Sequence, residues 1–575
     1  MCAKRAVVAS LMASPSTPAP PARRASAWTP FTPKLVDTLR DGYGLVTLRT
    51  DVVAGLTVAI VALPLAMALA IASGTTPEKG LLTAFIAGGL ISALSGSRFQ
   101  IGGPTGAFVV VVFNVIAHFG FDGLVLATLM AGLLLLAAGA ARLGAWIKYI
   151  PEPVVAGFTA GIGIVIATSQ IRDLLGLSMT HVPADFIAKW IAMWAARASL
   201  SPWALVIAAG ALAVILVLRR VAPKAPGFLI AAVLATLVVT FFHLPVETIG
   251  TRFGHLNFGL PAPHIPRVSW DRVKQLTPAA FTIAFLAGVE SLLSAMVADG
   301  MTGRRHRANA ELIAQGVANL ASGLLGGLPA TGAVARTATN VRAGGRSPVA
   351  GIVHAVFVGL FMLVGGPLAA YVPLSALAAI LIVVAWGMSE PHKLARLMKA
   401  PVGDRVVLLA TLSLTVLVDL SVAIGVGVVL AAMIFMHSMA ESASLSEGSV
   451  VDEDEDLDDA EPADQRDGLP PGVVVFQLRG PLFFGAATRF TELLLTISSP
   501  PRAIILRMSR TAVVDATGVG VLRDFILRCR RDGVRVILSG VREQPSRVLE
   551  GMGLGRDSGE VDYAENFAGA IALAR

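Results

Sequence analysis

Gly102-Gly-Pro-Thr-Gly-Ala107 recurs later in the chain, loosened by single insertions, as Gly326-Gly-Leu-Pro-Ala-Thr-Gly-Ala333. Each of these two glycine phrases follows a long apolar run and opens a short one, at 108–117 and at 334–341. Short hydrophobic segments interrupted by Gly and Pro in both halves of a chain are typical of a binding site at the centre of a membrane. A helix that begins there leaves its first N–H groups without intrahelical acceptors, and its dipole attracts an anion. The phrases therefore predict an anion site; two ordinary Gly/Pro loops between membrane helices are the alternative.

The composition is that of a protein that crosses a membrane many times. Hydrophobic residues make up 55% of the chain and charged residues 15%, and the mean hydropathy is +0.73. The two cysteines, Cys2 and Cys529, argue against a disulfide framework or a cysteine metal site. We find no zinc-ligand spacing, Walker loop or nucleophile elbow, so we predict no metal, no cofactor, no ATP-driven pump and no enzyme. Because the basic residues flank apolar spans, the net charge of +8 indicates topology rather than nucleic-acid binding.

The apolar runs predict fourteen spans, several of which are too short to cross a bilayer alone. Basic residues concentrate at the N-terminus and in the loops after even-numbered spans, which places both termini in the cytoplasm. The spans run approximately over 52–72, 79–95, 104–118, 121–141, 152–171, 203–218, 227–243, 278–299, 309–326, 329–341, 347–369, 372–388, 404–419 and 421–437.

Spans one to seven and eight to fourteen look like two copies of one unit. The first span ends in Ala70-Ile-Ala-Ser-Gly74 and the eighth in Met296-Val-Ala-Asp-Gly300, and each ending precedes its glycine phrase at a similar spacing. An odd number of spans in each copy forces the copies into opposite orientations. The sequence therefore predicts a 7+7 inverted repeat.

The regions outside the spans differ in character. We predict a disordered or amphipathic cytoplasmic N-terminus over 1–45 and a transmembrane transporter domain over 46–440. Residues 1–36 contain no acid and are rich in Ala, Pro and Ser, so an organellar transit peptide is the alternative to a disordered tail there. An acidic linker is predicted over 441–470, because 452–459 is a nearly continuous acidic block.

Residues 471–575 predict a small cytoplasmic α/β domain. Buried-strand runs lie at 473–478, 503–508 and 535–539, and helical patterns lie between them. The helical patterns cover 485–497 and 518–531. Asp515-Ala-Thr-Gly518 stands where a strand leads into the second of these helices, which by itself is only a helix N-cap signal.

Glu290 is the strongest single candidate for a functional residue, because it lies among apolar residues of the eighth span. A carboxylate in a membrane span is costly and marks function by default. It could exchange a proton, or bind sodium together with Ser294 one turn on and carbonyls of the broken tenth span. A structural carboxylate paired with a buried Arg or with backbone is the alternative. Arg336, just after the second phrase, could supply electrostatic support behind the anion site or could snorkel to the cytoplasmic surface.

These motifs resemble those of the SulP (sulfate permease) family, the bacterial relatives of the solute carrier 26 anion exchangers. Three stretches carry the resemblance, at 100–107, 290–303 and 327–340, and the elements 480–485 and 515–518 resemble a STAS domain. The likeness covers about 45–575. It implies fourteen spans divided into a core and a gate, with an elevator-like motion of the core, in the bacterial cytoplasmic membrane.

The resemblance also implies residue roles. Spans one, three, eight and ten would enclose the substrate, and Glu290 and Ser294 match the family's coupling-ion position, where sodium-coupled bicarbonate members carry Asp. Thr517 matches the position that is phosphorylated in anti-sigma-factor antagonists of the STAS fold. The substrate would lie against Thr105, Gly106, Ala107, Phe108, Gly332, Ala333 and Val334; Val334 replaces a polar residue that some members use.

We therefore expect secondary active transport of sulfate, bicarbonate or a C4-dicarboxylate, coupled to a proton or a sodium ion. The expected partners are the anion, the lipid bilayer, a second copy of the chain in a homodimer and a regulatory protein that binds the STAS domain. No nucleic-acid partner is expected. A nucleobase permease of the same architecture and a membrane-anchored STAS signalling module are the alternatives.

Overall fold

The computed structural model describes residues 29–145, 151–179, 182–183, 185–223, 225–254, 258–418, 420–442, 444–447, 469–483 and 501–575. The chain divides into two compact units, Met1–Val428 and Val429–Arg575, and each is described by itself.

The first unit is built from helices that follow the apolar runs, and several begin with proline in the first turn, where its missing N–H costs nothing. The helices are α1 Lys34–Arg40, α2 Leu45–Ala72, α3 Pro77–Leu94, α4 Val109–Ala140, α5 Glu152–Leu175, α6 Phe186–Ala195, α7 Pro202–Val221, α8 Gly227–Phe241, α9 Ile249–Phe253, α10 Trp270–Thr302, α11 Ala308–Leu324, α12 Val334–Arg342, α13 Val349–Leu360, α14 Gly366–Ala369, α15 Leu374–Met388, α16 Pro391–Leu397 and α17 Val402–Leu417. A last helix, α18 Leu420–Ser442, begins in the first unit and ends in the second.

Every predicted apolar span contains helix in the described residues, and eight of the described helices are long and apolar enough to cross a membrane. Spans three and four run together in α4, where Gly120 breaks the helical geometry with φ 70° and ψ −177°. A 3₁₀ turn at Gly106–Phe108 precedes α4, and a π-helical turn at Phe361–Gly365 joins α13 to α14. The break at Gly120 lies between the two spans that the sequence separates.

The helices pack in two groups, a core group and a gate group. Each group contains corresponding helices from both repeats. In the core group, α3 (span two) packs on α13 (span eleven), as α11 (span nine) packs on the second half of α4 (span four). Gly132 and Gly316 let the backbones of that second pair approach closely, because a Cβ on either would lie 2.9 Å from the other's carbonyl oxygen. In the gate group, α5 packs on α15 and α17, and α7 packs on α8 and α15.

The two repeats are joined at their centres by a two-stranded antiparallel ladder. Strands β1 (Gly102–Gly103) and β2 (Thr331–Gly332) pair Gly102 with Gly332 and Gly103 with Thr331. The Ala333 N–H donates to the Ile101 carbonyl at 2.8 Å. Because each strand ends where a half-helix begins, this ladder places the two helix starts side by side.

The N-terminal segment, predicted to be disordered or amphipathic, contains short helical elements in its described residues. A 3₁₀ turn at Thr29–Phe31 and α1 lie against the core group, and the Lys34 N–H donates to the Ser95 carbonyl at 2.9 Å. Arg307 pairs with Asp37 at 2.9 Å. These contacts with distant residues hold a segment whose own composition favours disorder; residues 1–28 lie outside the described chain.

The second unit is a five-stranded sheet in the order β3-β4-β5-β6-β7, with β3 antiparallel and the other neighbours parallel. Apolar residues of β4, β5 and β6 are buried on both faces of the sheet, under two hydrophobic clusters. The elements are β3 Ser444–Glu447, β4 Val473–Arg479, β5 Ala503–Arg510, α19 Ala516–Arg531, β6 Arg535–Ser539, α20 Glu543–Gly551, β7 Asp562–Ala564 and α21 Phe567–Ala574.

Strands β4, β5 and β6 follow the three predicted strand runs, and α19 follows the predicted helix at 518–531. Strand β3 lies within the segment 441–470 that was predicted to be a linker. Its sequence is not apolar, and it forms a strand because its backbone pairs with β4. The acidic block of that linker and the predicted helix 485–497 lie outside the described residues.

Candidate functional site

The first half-helix starts at Thr105, whose hydroxyl donates to the Glu290 carboxylate at 2.8 Å. Thr105 has an extended backbone after Pro104, and its side chain makes no capping bond to its own helix. Glu290 is half-buried, and within the described chain we find one hydrogen bond to its carboxylate, the bond from Thr105. The structure therefore brings two predicted site residues from different repeats into contact and leaves the helix start uncapped.

The second half-helix starts at Ala333, which is also extended and gives no side-chain cap. The Ala333 N–H is occupied by the Ile101 carbonyl, and the first bond of α12 runs from the Thr337 N–H to the Ala333 carbonyl at 2.9 Å. By helix geometry, the N–H groups of residues 334–336 precede that bond. The donors for a ligand at this helix start consequently begin at Val334, which is half-buried.

Helix α10 contacts both half-helices through different side chains. Ser294 is buried and donates to the Thr337 hydroxyl at 3.0 Å, and Thr337 also accepts from the Ile101 N–H at 3.1 Å. Glu290, in contrast, holds Thr105 of the first half-helix. The two residues of the predicted pair therefore contact different half-helices: Glu290 contacts the first and Ser294 the second. The contact with Thr337 was not predicted from the sequence.

Arg336 points back into the protein rather than to the cytoplasmic surface. Only 3% of the residue is exposed. Its guanidinium donates to the Gly102 carbonyl at 3.4 Å and to the Pro104 carbonyl. A Cβ on Gly103, which has φ 144°, would lie 2.5 Å from the Arg336 guanidinium. Because the cation of the second half-helix lies on the backbone of the first phrase, it places fixed positive charge between the two helix starts.

The remaining residues of the phrases are closely packed. Ala107 and Phe108 are buried in the hydrophobic core, and Gly106 lies against the gate group: a Cβ there would be 2.5 Å from Met388 Sδ and 3.1 Å from Ile166 Cδ1. At Gly332, a Cβ would overlap the side-chain amide of Gln100. Bulk at Gly106 or Gly332 is therefore excluded by neighbours from other elements.

A second carboxylate behind the site, Glu311, was missed at the sequence level. It is fully buried at the start of α11 and accepts from Ser291 Oγ at 2.6 Å, Gln315 Nε2 at 2.8 Å, the Gly96 N–H at 3.1 Å and the Ser95 hydroxyl. Its position just inside the ninth apolar span was the available signal. With four donors it is a fixed acceptor, so Glu290 is the more adaptable of the two acids.

No group of three or more His, Cys, Asp or Glu side chains that could hold a metal ion occurs in the described part of the chain. In the second unit, Asp515 caps α19, because its carboxylate accepts from the Gly518 N–H at 2.8 Å. Thr517 is exposed in the first turn of that helix. The capping role therefore belongs to Asp515, and the Thr517 hydroxyl is left at the surface.

Comparison with known families accounts for both units. The profile described as Sulfate permease family matches residues 48–411, and the STAS domain profile matches residues 468–566. The chain belongs to the sulfate permease family. It is a multi-pass membrane protein with a C-terminal STAS domain, which is what the resemblance of its motifs predicted.

Individual relatives of this sulfate permease family member align with between 67% and 99% of its length. The chain is 40% identical over 527 residues to the "Putative sulfate transporter YvdB" of Bacillus subtilis (strain 168), with 91% of this chain and 97% of that protein aligned. The transmembrane domain of a cyanobacterial bicarbonate transporter, BicA, superposes with a TM-score of 0.61 at 30% identity, over 67% of this chain and 98% of that one. The murine anion transporter Slc26a9, solved in an inward-facing state, superposes with a TM-score of 0.83 at 17% identity, over 99% and 98% of the two chains, and shares the fold.

Proposed function

We propose that this protein is a secondary active transporter of a small oxyanion, which binds between the two half-helix starts. The observation that carries the proposal is the β1–β2 ladder, which holds two uncapped helix starts together beside Glu290, Thr105 and Arg336. Backbone N–H donors, two positive helix ends and a buried guanidinium favour an anion there. The relatives, described as sulfate and bicarbonate transporters, support sulfate and bicarbonate as substrates, and a C4-dicarboxylate suits the same donors.

Glu290 couples anion movement to a cation in this proposal, and we favour a proton. A compact sodium site needs several oxygen ligands, yet Ser294, the predicted second ligand, is bonded to Thr337. The contact between Glu290 and Thr105 offers a direct connection instead. When a proton neutralises Glu290, the repulsion between its carboxylate and an incoming anion disappears, so proton and anion binding support one another.

The proposed motion is an elevator-like displacement of the core group against the gate group. Gly106 lies where the first half-helix meets Met388 and Ile166 of the gate. A smooth, side-chain-free surface at Gly106 allows sliding past those side chains. We further propose a homodimer in the bacterial cytoplasmic membrane with both termini inside, where a regulatory protein can reach the STAS domain.

The position of the site is tested by Ala333→Trp. Ala333 is 7% exposed at the second helix start, so an indole there should fill the space of the anion. In proteoliposomes, we expect uptake of labelled sulfate, bicarbonate and fumarate to fall to background, while Leu360→Trp, on an exposed position of α13, should transport normally. Normal uptake by the folded Ala333→Trp protein would show that the anion binds elsewhere.

The role of Glu290 is tested by Glu290→Gln under imposed proton and sodium gradients. The amide keeps the size of the side chain and removes its charge and its exchangeable acidic proton. We expect gradient-driven accumulation to be lost while anion binding or exchange persists. The matched control is Glu390→Gln, at an exposed carboxylate that pairs with Lys393 at 3.8 Å. Full accumulation by the Glu290→Gln protein would make Glu290 a structural residue.

A further inference from the structure

A pocket of about 380 Å³ lies where the hairpin of α7 and α8 meets α2 and α12. The hairpin contributes the end of α7, the connecting turn and the start of α8, and the facing wall is formed by α2 and by Thr339 of α12. Helix α2 packs on α13 of the core group, whereas α7 and α8 belong to the gate group. The pocket is therefore lined by both groups, and none of Thr105, Glu290 and Arg336 lines it.

The charge at this pocket is positive. Arg219 is the charged residue of the lining, and Arg220 follows it in the last turn of α7. Both are exposed, and in the described chain we find no ion pair between either of them and an acidic side chain. The sequence contains no Asp or Glu over 186–246, and the acid of α2, Asp51, is buried and accepts from the Ser347 hydroxyl. The elements that line the pocket therefore supply no acid that neutralises the two arginines.

The rest of the lining is mainly apolar. The guanidinium carbon of Arg219 lies 5.8 Å from the centre of the Phe228 ring, which also lines the pocket, so the cation is held beside an aromatic wall. The aliphatic side chains of α2 and α7 in the lining are those of Ile60, Val61, Ile215 and Leu218. The pocket consequently combines a cation with a surface that suits hydrocarbon.

The same end of α7 faces the lipid. Helix α7 is long and apolar enough to cross a membrane, and its residues Leu216, Val217 and Val221 are exposed large hydrophobic side chains around the two arginines. Arginines in the last turn of a span place their charge at the level of the lipid headgroups, while their aliphatic stems lie along apolar surface. The pocket is therefore next to lipid at headgroup depth.

We propose that this pocket binds one anionic phospholipid, with its phosphate at Arg219 and Arg220 and an acyl chain against the apolar wall. A small anion dissolved in water would gain little from two exposed arginines, because solvent and salt screen their charge. A lipid also buries hydrocarbon against the lining, and its negative headgroup complements the two cations. With both termini inside, as proposed above, the turn between α7 and α8 lies on the cytoplasmic side, where basic residues attract anionic lipids.

Such a lipid contacts both groups of helices at once, because α2 and α12 form one wall and the α7–α8 hairpin forms the other. Displacement of the core group against the gate group would change the shape of its site, so the bound lipid favours the arrangement described here. This consequence rests on the proposed elevator-like motion. Lipid binding itself does not, and it is measured without transport.

The test is native mass spectrometry of the full-length protein in detergent, titrated with phosphatidylglycerol or with phosphatidylcholine of the same acyl chains. We expect the first phosphatidylglycerol to bind at least about fivefold more tightly than phosphatidylcholine, and Arg219→Gln and Arg220→Gln each to weaken it about fivefold. Arg197→Gln, at an exposed arginine outside the lining, should bind it like the unmodified protein. Equal affinity for the two lipids, or unchanged affinity in both pocket variants, would overturn the proposal.

Thr57→Trp separates the pocket from its charge. Thr57 is half-buried in the lining, so an indole there should fill the space of the acyl chain and remove the preference for phosphatidylglycerol. Val53→Trp, one turn earlier on α2 at an exposed position outside the lining, should keep that preference. Unchanged binding by a folded Thr57→Trp protein would contradict the pocket. Displacement of the lipid by glycerol 3-phosphate, which has no acyl chain, would show a site for soluble phosphates and overturn the lipid assignment.

Discussion

At the scale of single residues, Arg336 shows how the backbone of a distant segment can hold a buried cation. Its guanidinium lies on the carbonyl oxygens of Gly102 and Pro104, which carry partial negative charge. The sequence placed Arg336 beside the second phrase but left its direction open. Direction depends on contacts with the first phrase, and a residue's own neighbours in sequence carry no information about them.

Replacing Arg336 with Gln should damage both stability and transport. A shorter, neutral amide cannot reach both carbonyls, and an unsatisfied buried polar group costs about 1–3 kcal/mol. We expect a lower thermal midpoint and at least a tenfold loss of anion uptake. Arg342→Gln, on the exposed end of the same helix, should leave both unchanged. If Arg336→Gln unfolds and transports like the unmodified protein, Arg336 neither joins the phrases nor supports the anion.

At the scale of elements, helices in long apolar runs could be predicted from the sequence, whereas the pairing of short strands could not. The predicted spans all contain helix, and the break between spans three and four falls at Gly120. Strands β1 and β2 have two residues each, which is too short for any periodic pattern, and β3 pairs through its backbone inside a polar linker. Such elements exist because a distant partner supplies hydrogen bonds, so local sequence could not predict them.

The first turn of α19 separates a structural role from a regulatory one. Asp515→Ala removes the N-cap and should cost about 1 kcal/mol, measured by urea unfolding of the C-terminal unit. Thr517→Ala should leave stability unchanged, because the Thr517 side chain is exposed and is not the cap. Equal losses in both variants would contradict this division of roles.

Phosphorylation of Thr517 stays a proposal about regulation. A phosphate there would meet the positive end of the α19 dipole favourably. If regulation acts through this residue, Thr517→Asp and Thr517→Ala should change the transport rate in opposite directions. Unchanged transport in both variants would remove the support for a phosphoswitch.

At the scale of the whole molecule, the two units have separate cores, and their family assignments follow the same division. The architecture could be predicted because fourteen apolar runs and one internal repeat are long-range statistical features. The substrate could not be predicted, since backbone N–H groups and helix dipoles recognise anions without a distinctive side chain. The same limit applies to the proposed coupling cation, whose identity depends on how many oxygens surround Glu290 when the cation is bound.

Removing the STAS domain should therefore preserve anion binding. Because β3 belongs to the C-terminal sheet, the cut is best placed after Ser442, and not within the strand as a cut near 445 would be. We expect the membrane unit to bind anion with unchanged affinity in a calorimetric titration, even if transport rate, dimer stability or expression falls. A folded, monodisperse truncated protein that no longer binds anion would assign part of the site to the C-terminal unit.

The ladder between Gly102 and Gly332 also bears on how two repeats in one chain can diverge in sequence. Two copies of one unit accumulate mutations independently, and a joint built from matched side chains would fail when either copy drifted. Here the joint is made by backbone amides between residues that include three glycines. A substitution that exchanges one side chain for another elsewhere in either half therefore leaves these backbone amides in place, whereas a new side chain at Gly332 would overlap Gln100 beside the ladder.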